Sequence, residues 1–432
     1  MDMQRSRNGR TDQTHTANGP RPGRARQRAF MIAALPEGDD LSELGELLRT
    51  AGVAVVGQEV QHLDKPHPNT YVGPGKLLEI KEQAKALDAN VIACDDELTP
   101  RQERNMEKEL GIPVVDRTTV ILDIFAGHAN TAEGKLQVEL AQLQYNLARM
   151  RGLWTHLERL GGGVGTRGPG ESQIETDRRL ARDRITALKR RLAEVKDSRA
   201  TMRQERERAH LPQVALAGYT NAGKSTLLNA LTGSEVSVRD RLFHTLDPTT
   251  RSLDIGGRRY LMTDTVGFIR KLPHGLVDAF GATLEETKLA DLVLHVVDAS
   301  ADEDDIELML KAVDDVLDEI GAGERPRLLV LNKVDALDED QRHALGFRHP
   351  DAVVVSAATG EGLDVLGQRI EDEFANSLRR IDILLPYAEG GRLAELHEYA
   401  ADLEREDTAD GVRIRASVPP TVADRYAVFA TT

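Results

Sequence analysis

From Ala29 to about Ile124, short apolar runs alternate with amphipathic ones. AFMIAAL, GVAVVGQEV, NVIACD and IPVVD have the length and branched-residue content of strands. LSELGELLRTA and LLEIKEQAKALD carry their apolar residues at helical spacing between them. This alternation predicts a small α/β domain with a largely parallel sheet. PHPNTYVGPGK, Pro66 to Lys76, is a proline- and glycine-punctuated loop within it.

Past that point the period changes. Leu136, Leu140, Leu143, Leu147, Met150, Trp154 and Leu157 recur at steps of four and three, a heptad stripe along one helix, with Trp154 read as core. A second stripe runs through Ala181, Ile185, Leu188, Leu192 and Val195. Two such helices joined by the glycine-rich stretch GGGVGTRGPGE predict an antiparallel hairpin, each arm of about 25 residues and 35–40 Å. From Leu211 to about Arg379 strand–loop–helix alternation returns, and a strand–helix–strand piece follows.

The expected fold is therefore α/β. It comprises a tail (1–28), an N-terminal α/β domain (29–125), a helical hairpin with a Gly-rich tip (126–209), a larger α/β domain (210–379) and a small C-terminal α/β piece (380–432). The chain has 432 residues, 40% hydrophobic and 29% charged, ordinary values for a globular protein. Cys94 is the single cysteine, which excludes an intrachain disulfide framework and suits a reducing cytosol. No run of about 18 apolar residues is present, so no membrane span is expected, and the expected location is cytoplasmic. Residues 1–28 are polar and arginine-rich, the composition of a disordered basic tail. The net charge of −15 excludes a uniformly basic nucleic-acid coat, yet basic residues outnumber acidic ones between Arg151 and Arg208.

The chemistry lies in the third block. The strand VALAG, the loop YTNAG and the helix KSTLLNALTG give G-x-x-x-x-G-K-S its required context. Gly218, Tyr219, Thr220, Asn221, Ala222 and Gly223 form the loop whose N–H groups approach phosphate. Lys224 is expected on the β- and γ-phosphates, Ser225 on Mg²⁺, and Thr226 either near the α-phosphate or simply starting the helix. TLDPTTR supplies a switch threonine for metal and γ-phosphate, Thr249 being preferred narrowly over Thr250. In DTVG (Asp264, Thr265, Val266, Gly267), Asp264 is expected to hold the metal's shell and the Gly267 N–H to sense the γ-phosphate. In NKVD, Asp335 is suited to accept two hydrogen bonds from guanine, with Asn332 and Lys333 shaping the pocket. In SAATG (Ser356, Ala357, Ala358), the Ala357 N–H is suited to meet guanine O6. This order of motifs, each after a strand, predicts that residues 210–379 are a P-loop GTPase domain, a GTP-hydrolysing enzyme rather than an ATPase, with Lys224, Thr249 and Gly267 as its catalytic set.

Phe268 occupies the position after D-x-x-G, where a water-orienting glutamine stands in Ras-like enzymes. Slow unaided hydrolysis is the expectation, the missing group coming from elsewhere on the chain, a partner or an ion. Asn221 resembles the asparagine of cation-activated GTPases, which makes K⁺ a candidate, although a loop-stabilising asparagine fits equally.

PHPNTYVGPGK, EGKLQVELAQL, THLERLGGGVGTRGPGESQIETDRR, GYTNAGKST, TLDPTTR and DTVGFIRKLP together resemble the HflX family of ribosome-associated GTPases, from Ala29 to the end. A monomer that binds GTP and GDP is expected, and the resemblance implies a factor that binds the large ribosomal subunit and splits or rescues stalled 70S ribosomes. It implies a hairpin reaching toward the peptidyl-transferase region of 23S rRNA, and an N-terminal domain linked to ATP. Two other readings remain: a ribosome-assembly or RNA-modification factor without splitting activity, and a protein-binding switch, against which the basic hairpin argues.

The tip also spells G-x-G-x-x-G, Gly163 to Gly168, but helix rather than strand precedes it, so a dinucleotide loop is not expected. Arg159, Arg167, Arg178 and Arg179 around the tip are candidate RNA contacts. The alternative is a glycine turn that only reverses the chain.

Overall fold

The computed structural model describes residues 27–35, 40–150, 169–208, 211–234, 242–243, 245–271, 281–418 and 420–430. Residues 1–26 of the basic tail, Trp154, Arg159, Arg167 and the G-x-G-x-x-G stretch lie outside the described residues, whereas Arg28, expected in the tail, opens the first strand.

Strands β1 (Arg28–Leu35), β2 (Ala54–His62), β3 (Val91–Cys94) and β4 (Val114–Asp116) form an all-parallel sheet in the order β2-β1-β3-β4. Helices α1 (Ser42–Thr50), α2 (Pro74–Ala86), α3 (Pro100–Leu110) and α4 (Arg117–His128) cover it. Side chains alternate along a strand. Met31 and Ala33 of β1 accordingly share one core with Leu44 and Leu47 of α1 and Phe125 of α4. Phe30 and Ile32 share another with Leu77 and Ile80 of α2 and Met106 of α3. Both faces of the sheet are thus buried, as parallel sheets require.

The hairpin helices are α5 (Ala132–Arg149) and α6 (Pro169–Arg208). Leu136 and Leu140 of α5 meet Ile185 and Leu188 of α6, with Leu143, Leu147 and Leu192 against them, so both stripes face each other. α6 has 40 residues, longer than its stripe implied. Pro169 and Gly170 open it, and no glycine or proline interrupts the next 38 residues. Arg149, at the far end of α5, bonds Glu103 and Asp116 at 2.9 Å and lies 3.3 Å over the Tyr145 ring. The Tyr145 hydroxyl also donates to Asp116, so this end of α5 is fixed to the first sheet's domain.

The largest sheet has the order β10-β9-β8-β5-β7-β6. Its strands are β5 (Gln213–Gly218), β6 (Thr249–Ile255), β7 (Arg258–Asp264), β8 (Leu292–Asp298), β9 (Arg327–Asn332) and β10 (Val353–Val354). All pairs are parallel except the β6–β7 hairpin, whose turn residues Gly256 and Gly257 both have positive φ. Helix α7 (Lys224–Thr232) follows β5 directly, and the loops after β5, β7 and β9 open at one end of the sheet.

His295 sits inside this sheet on β8, buried, its Nε2 without a hydrogen-bond partner among the described residues. Burial, then the nearby Arg327 and Lys224 charges, push its pKa down to about 4 from 6.5. The ring is neutral at pH 7, so its 3.9 Å approach to Asp314 is not an ion pair. A depressed histidine pKa means that the unfolded chain takes up the proton first. Stability should therefore fall between about pH 7 and pH 4, by roughly 2–3 kcal/mol from this residue. Urea unfolding of His295→Leu should show a shallower acid-side loss than the native chain. Identical pH slopes would contradict this.

The last unit is an antiparallel sheet of β11 (Arg379–Leu385), β13 (Gly411–Val418) and β12 (Ala401–Thr408), with β13 in the centre. Ile381, Ile383, Ile414 and Val418 pack on Leu396, Val422 and Tyr426. β12 is the strand absent from the sequence reading. Glu404, Arg405, Glu406 and Asp407 hide it, and such charges suit an edge strand that must not pair further. No helix among the described residues is long and apolar enough to cross a membrane.

Candidate nucleotide site

Gly218 to Ser225 wrap from the end of β5 onto the start of α7. Two glycines are sterically required. A Cβ on Gly218 would run into the Val296 carbonyl, and one on Gly223, whose φ is +89°, into the Asn332 amide. The Lys224 ammonium is buried and donates to the carbonyls of Gly218 (3.0 Å) and Tyr219 (2.9 Å). Burial brings its pKa down to about 8. Gly267 closes over the loop: a Cβ there would stand 2.9 Å from Thr220 Cα and 3.1 Å from Lys224 Nζ.

Three side-chain oxygens converge beside Lys224. Ser225 Oγ donates to Asp264 Oδ2 at 2.5 Å and lies 2.8 Å from Thr245 Oγ1. Asp264 Oδ1 is buried with no hydrogen-bond partner among the described residues. Burial raises the Asp264 pKa, against Lys224, Ser225 and Thr245, which lower it. An orphaned carboxylate oxygen among hydroxyls fits a hard divalent cation such as Mg²⁺.

Thr245 was missed in the sequence, and it displaces Thr249 as the threonine at this cluster. Thr249 and Thr250 are the first residues of β6. Thr249 is in register with Asp264, and Thr250 Oγ1 is 2.9 Å from Thr263 Oγ1. The β6–β7 ladder fixes both in a strand, whereas Thr245 lies in the preceding loop. The signal available was a third threonine in HTLDPTTR, four positions before the chosen one. Thr265 and Val266 also turn away from the loop. Thr265 Oγ1 donates to the Leu216 carbonyl at 2.7 Å, and Val266 is in the core.

At the other end, Asn332 ties three segments together: its amide donates to the Ala222 carbonyl (2.9 Å), and its oxygen accepts the Ala357 N–H (3.0 Å). Lys333, at φ +67°, pairs with Asp298 at 2.6 Å. Ser356 donates to Asp335 Oδ1 at 2.6 Å, steering an otherwise exposed carboxylate. Ala358 is exposed at the rim, and Thr226 is half-buried in the first turn of α7. Arg178 and Arg179 lie far along the chain from this site, near the start of α6.

Phe268 is fully buried, and its backbone exchanges hydrogen bonds with the phosphate loop, donating to Gly218 O (3.1 Å) and accepting from Thr220 N (2.7 Å). Its ring joins a core shared with the first domain. That core contains Val266, Phe268 and Ile269 together with Phe125, Val138 and Ala141, and Phe125 packs edge-on to Phe243 at 4.7 Å.

A polar node lies beside this shared core. Arg117 of α4 is buried, paired with Asp95 at 2.7 Å and with Glu43, and donates to the Arg270 carbonyl at 3.0 Å. Burial alone would lower the Arg117 pKa, but Glu43 and Asp95 outweigh it and hold it up. The Tyr219 hydroxyl, inside the phosphate loop, donates to Glu43 and accepts the Arg270 N–H at 2.8 Å. Lys271 pairs with Asp95 (3.0 Å) and Asp96 (2.7 Å). Residues flanking the nucleotide loops thus bond directly to the first domain.

Residues 38–126 and 128–206 match the families described as GTP-binding GTPase N-terminal and GTP-binding GTPase Middle Region, and residues 213–333 match the 50S ribosome-binding GTPase family. The chain is 48% identical over 401 residues to GTPase HflX of Lacrimispora saccharolytica, covering 91% of this chain and 94% of that one. It is 44% identical over 393 residues to GTPase HflX of Escherichia coli, with 88% and 90% covered. A GTP-binding protein from Sulfolobus solfataricus, solved with GDP, aligns at 27% identity and a TM-score of 0.41 over 80% of this chain and 98% of its own. A phosphate loop, a base-side NKVD and likeness to the two HflX GTPases over about nine-tenths of the chain together make it a GTP-hydrolysing member of the HflX family of GTPases.

Proposed function

We infer that this GTPase acts on the large ribosomal subunit in the cytoplasm, entering with its hairpin and splitting or rescuing stalled 70S ribosomes. The observation that carries the reading is the 40-residue α6, with Arg178, Arg179, Arg182 and Arg184 near its start, beside a GTPase domain of a family described as binding 50S. Arginines near a tip supply phosphate contacts with RNA. Arg159, Arg167, Arg178 and Arg179 are assigned that role.

In the nucleotide site Lys224 holds the β- and γ-phosphates, and the Gly267 N–H meets the γ-phosphate. Ser225, Thr245 and the Asp264 carboxylate would hold Mg²⁺, which neutralises phosphate charge when bound. Asp335 and the Ala357 N–H read guanine. Phe268 faces the core, so no side chain at that position orients water. Hydrolysis is slow until another group is supplied. Asn221, at φ +62° in the phosphate loop, is the residue to hold a K⁺ there; equal rates in K⁺ and Na⁺ buffers would exclude that role.

Sedimentation with purified subunits and 70S particles tests the reading. Co-migration with 50S in a non-hydrolysable GTP analogue but not in GDP, with loss of 70S, is expected. Arg167→Ala should weaken both while GTP affinity stays. Binding only to precursor particles would indicate an assembly factor instead, and no ribosomal binding a protein switch.

A further inference from the structure

Thr245 and β6 are separated by a short segment that also touches the hairpin. Asp247 Oδ2 accepts the backbone N–H of Asn130 (3.0 Å) and of Thr131 (2.9 Å), and Oδ1 takes the Thr131 hydroxyl. These are the two residues before α5, and Thr131 is its cap, accepting the Gly134 N–H at 2.9 Å. Gly134 lies flush against the carboxylate, where a Cβ would collide with Oδ1. The helix therefore begins on a carboxylate supplied from 116 positions away, where the exposed N–H groups and the helix dipole favour negative charge. Leu246, between Thr245 and Asp247, is buried in the core that holds Val138 and Ala141 of α5. Three consecutive residues thus face three places: the Ser225–Asp264 cluster, the shared core and the hairpin root.

We propose that Asp247 is a positioning residue for GTP hydrolysis: it ties the loop carrying Thr245 to the root of the hairpin, so that ordering of the one and ordering of the other are a single event. The proposal rests on Thr245 standing on the metal side of the site. Coupling of this kind is reciprocal. Mg²⁺ with a GTP analogue should tighten the hairpin root, and a disturbed root should weaken the metal side.

The test uses the full chain without ribosomes, in native form and as Asp247→Ala, Gly134→Ala and Thr245→Ala. One readout is the Mg²⁺ concentration for half-maximal hydrolysis. The other is amide hydrogen exchange at Asn130 and Thr131, with Mg²⁺ and a non-hydrolysable GTP analogue against GDP. In the native chain exchange should be slower with the analogue by about 5-fold or more. Asp247→Ala and Gly134→Ala should abolish that difference and raise the Mg²⁺ requirement about 5-fold or more. Gly134→Ala separates the contact from folding, because alanine is the better helix former yet displaces the carboxylate. An unchanged requirement in Thr245→Ala would sink the metal-side reading. A shift in Thr245→Ala with less than about a 2-fold change in the other two would sink the proposal alone. So would an Asp247→Ala effect that Gly134→Ala does not reproduce.

Discussion

Asp335→Asn should bind GDP about 10²- to 10³-fold more weakly than the native chain while gaining affinity for XDP. A guanine edge offers N1–H and N2–H side by side, and a carboxylate accepts both. Hydrogen bonds to a charged group contribute about 1.5–3 kcal/mol each, so losing the pair costs on the order of 3–4 kcal/mol. Asparagine can accept one of the two and turns its own N–H₂ toward the other. Xanthine has a carbonyl where guanine has the N2 amine, and that N–H₂ then finds an acceptor. Ser356, 2.6 Å from Asp335 Oδ1, keeps the side chain at position 335 in the same pose in both proteins. Calorimetric titration with GDP and XDP reads the result directly. GDP affinity within about 5-fold of native would remove Asp335 from the base pocket.

The second large effect lies outside the nucleotide loops. Arg117→Ala should destabilise the protein by about 3–5 kcal/mol, seen as a lower urea midpoint by circular dichroism at pH 7. The guanidinium is buried with Glu43, Asp95 and the Arg270 carbonyl around it. Removing it takes the buried cation from two carboxylates, leaving Asp95 to Lys271 and Glu43 to the Tyr219 hydroxyl and Arg270. Burial already pushes the Asp95 pKa up despite Arg117 and Lys271. Arg117→Lys keeps the charge but not the planar fork that spans several acceptors, so its loss should be intermediate. A change below about 1 kcal/mol in Arg117→Ala would mean that the node relaxes or hydrates freely.

The nucleotide loops were legible in the sequence because each is short and follows its own strand. Gly218 to Ser225, DTVG, NKVD and SAATG need only local order to be recognised, and the parallel sheet brings them to one end. The leucine stripes of the hairpin were legible for the same reason, since Leu136–Leu140 and Ile185–Leu188 repeat at a helical period. The Arg117 node was not. It joins Arg117 to Glu43 and Arg270, and Glu43 to Tyr219, across 74 to 176 positions, and no periodicity marks such partners. Thr245 was lost to Thr249 because choosing among three nearby threonines depends on where β6 begins. β12 was lost because its charged residues satisfy an edge position rather than strand propensity.

The long α6 has a mechanical consequence. At 1.5 Å per residue its 40 residues reach about 60 Å, and its last residue, Arg208, stands five positions before Gln213, where β5 begins. β5 ends at Gly218, the first residue of the phosphate loop. Helix and strand are therefore a long arm and a short arm joined by a brief link. A tilt of about 5° at the base sweeps the far end through about 5 Å, close to one helical turn.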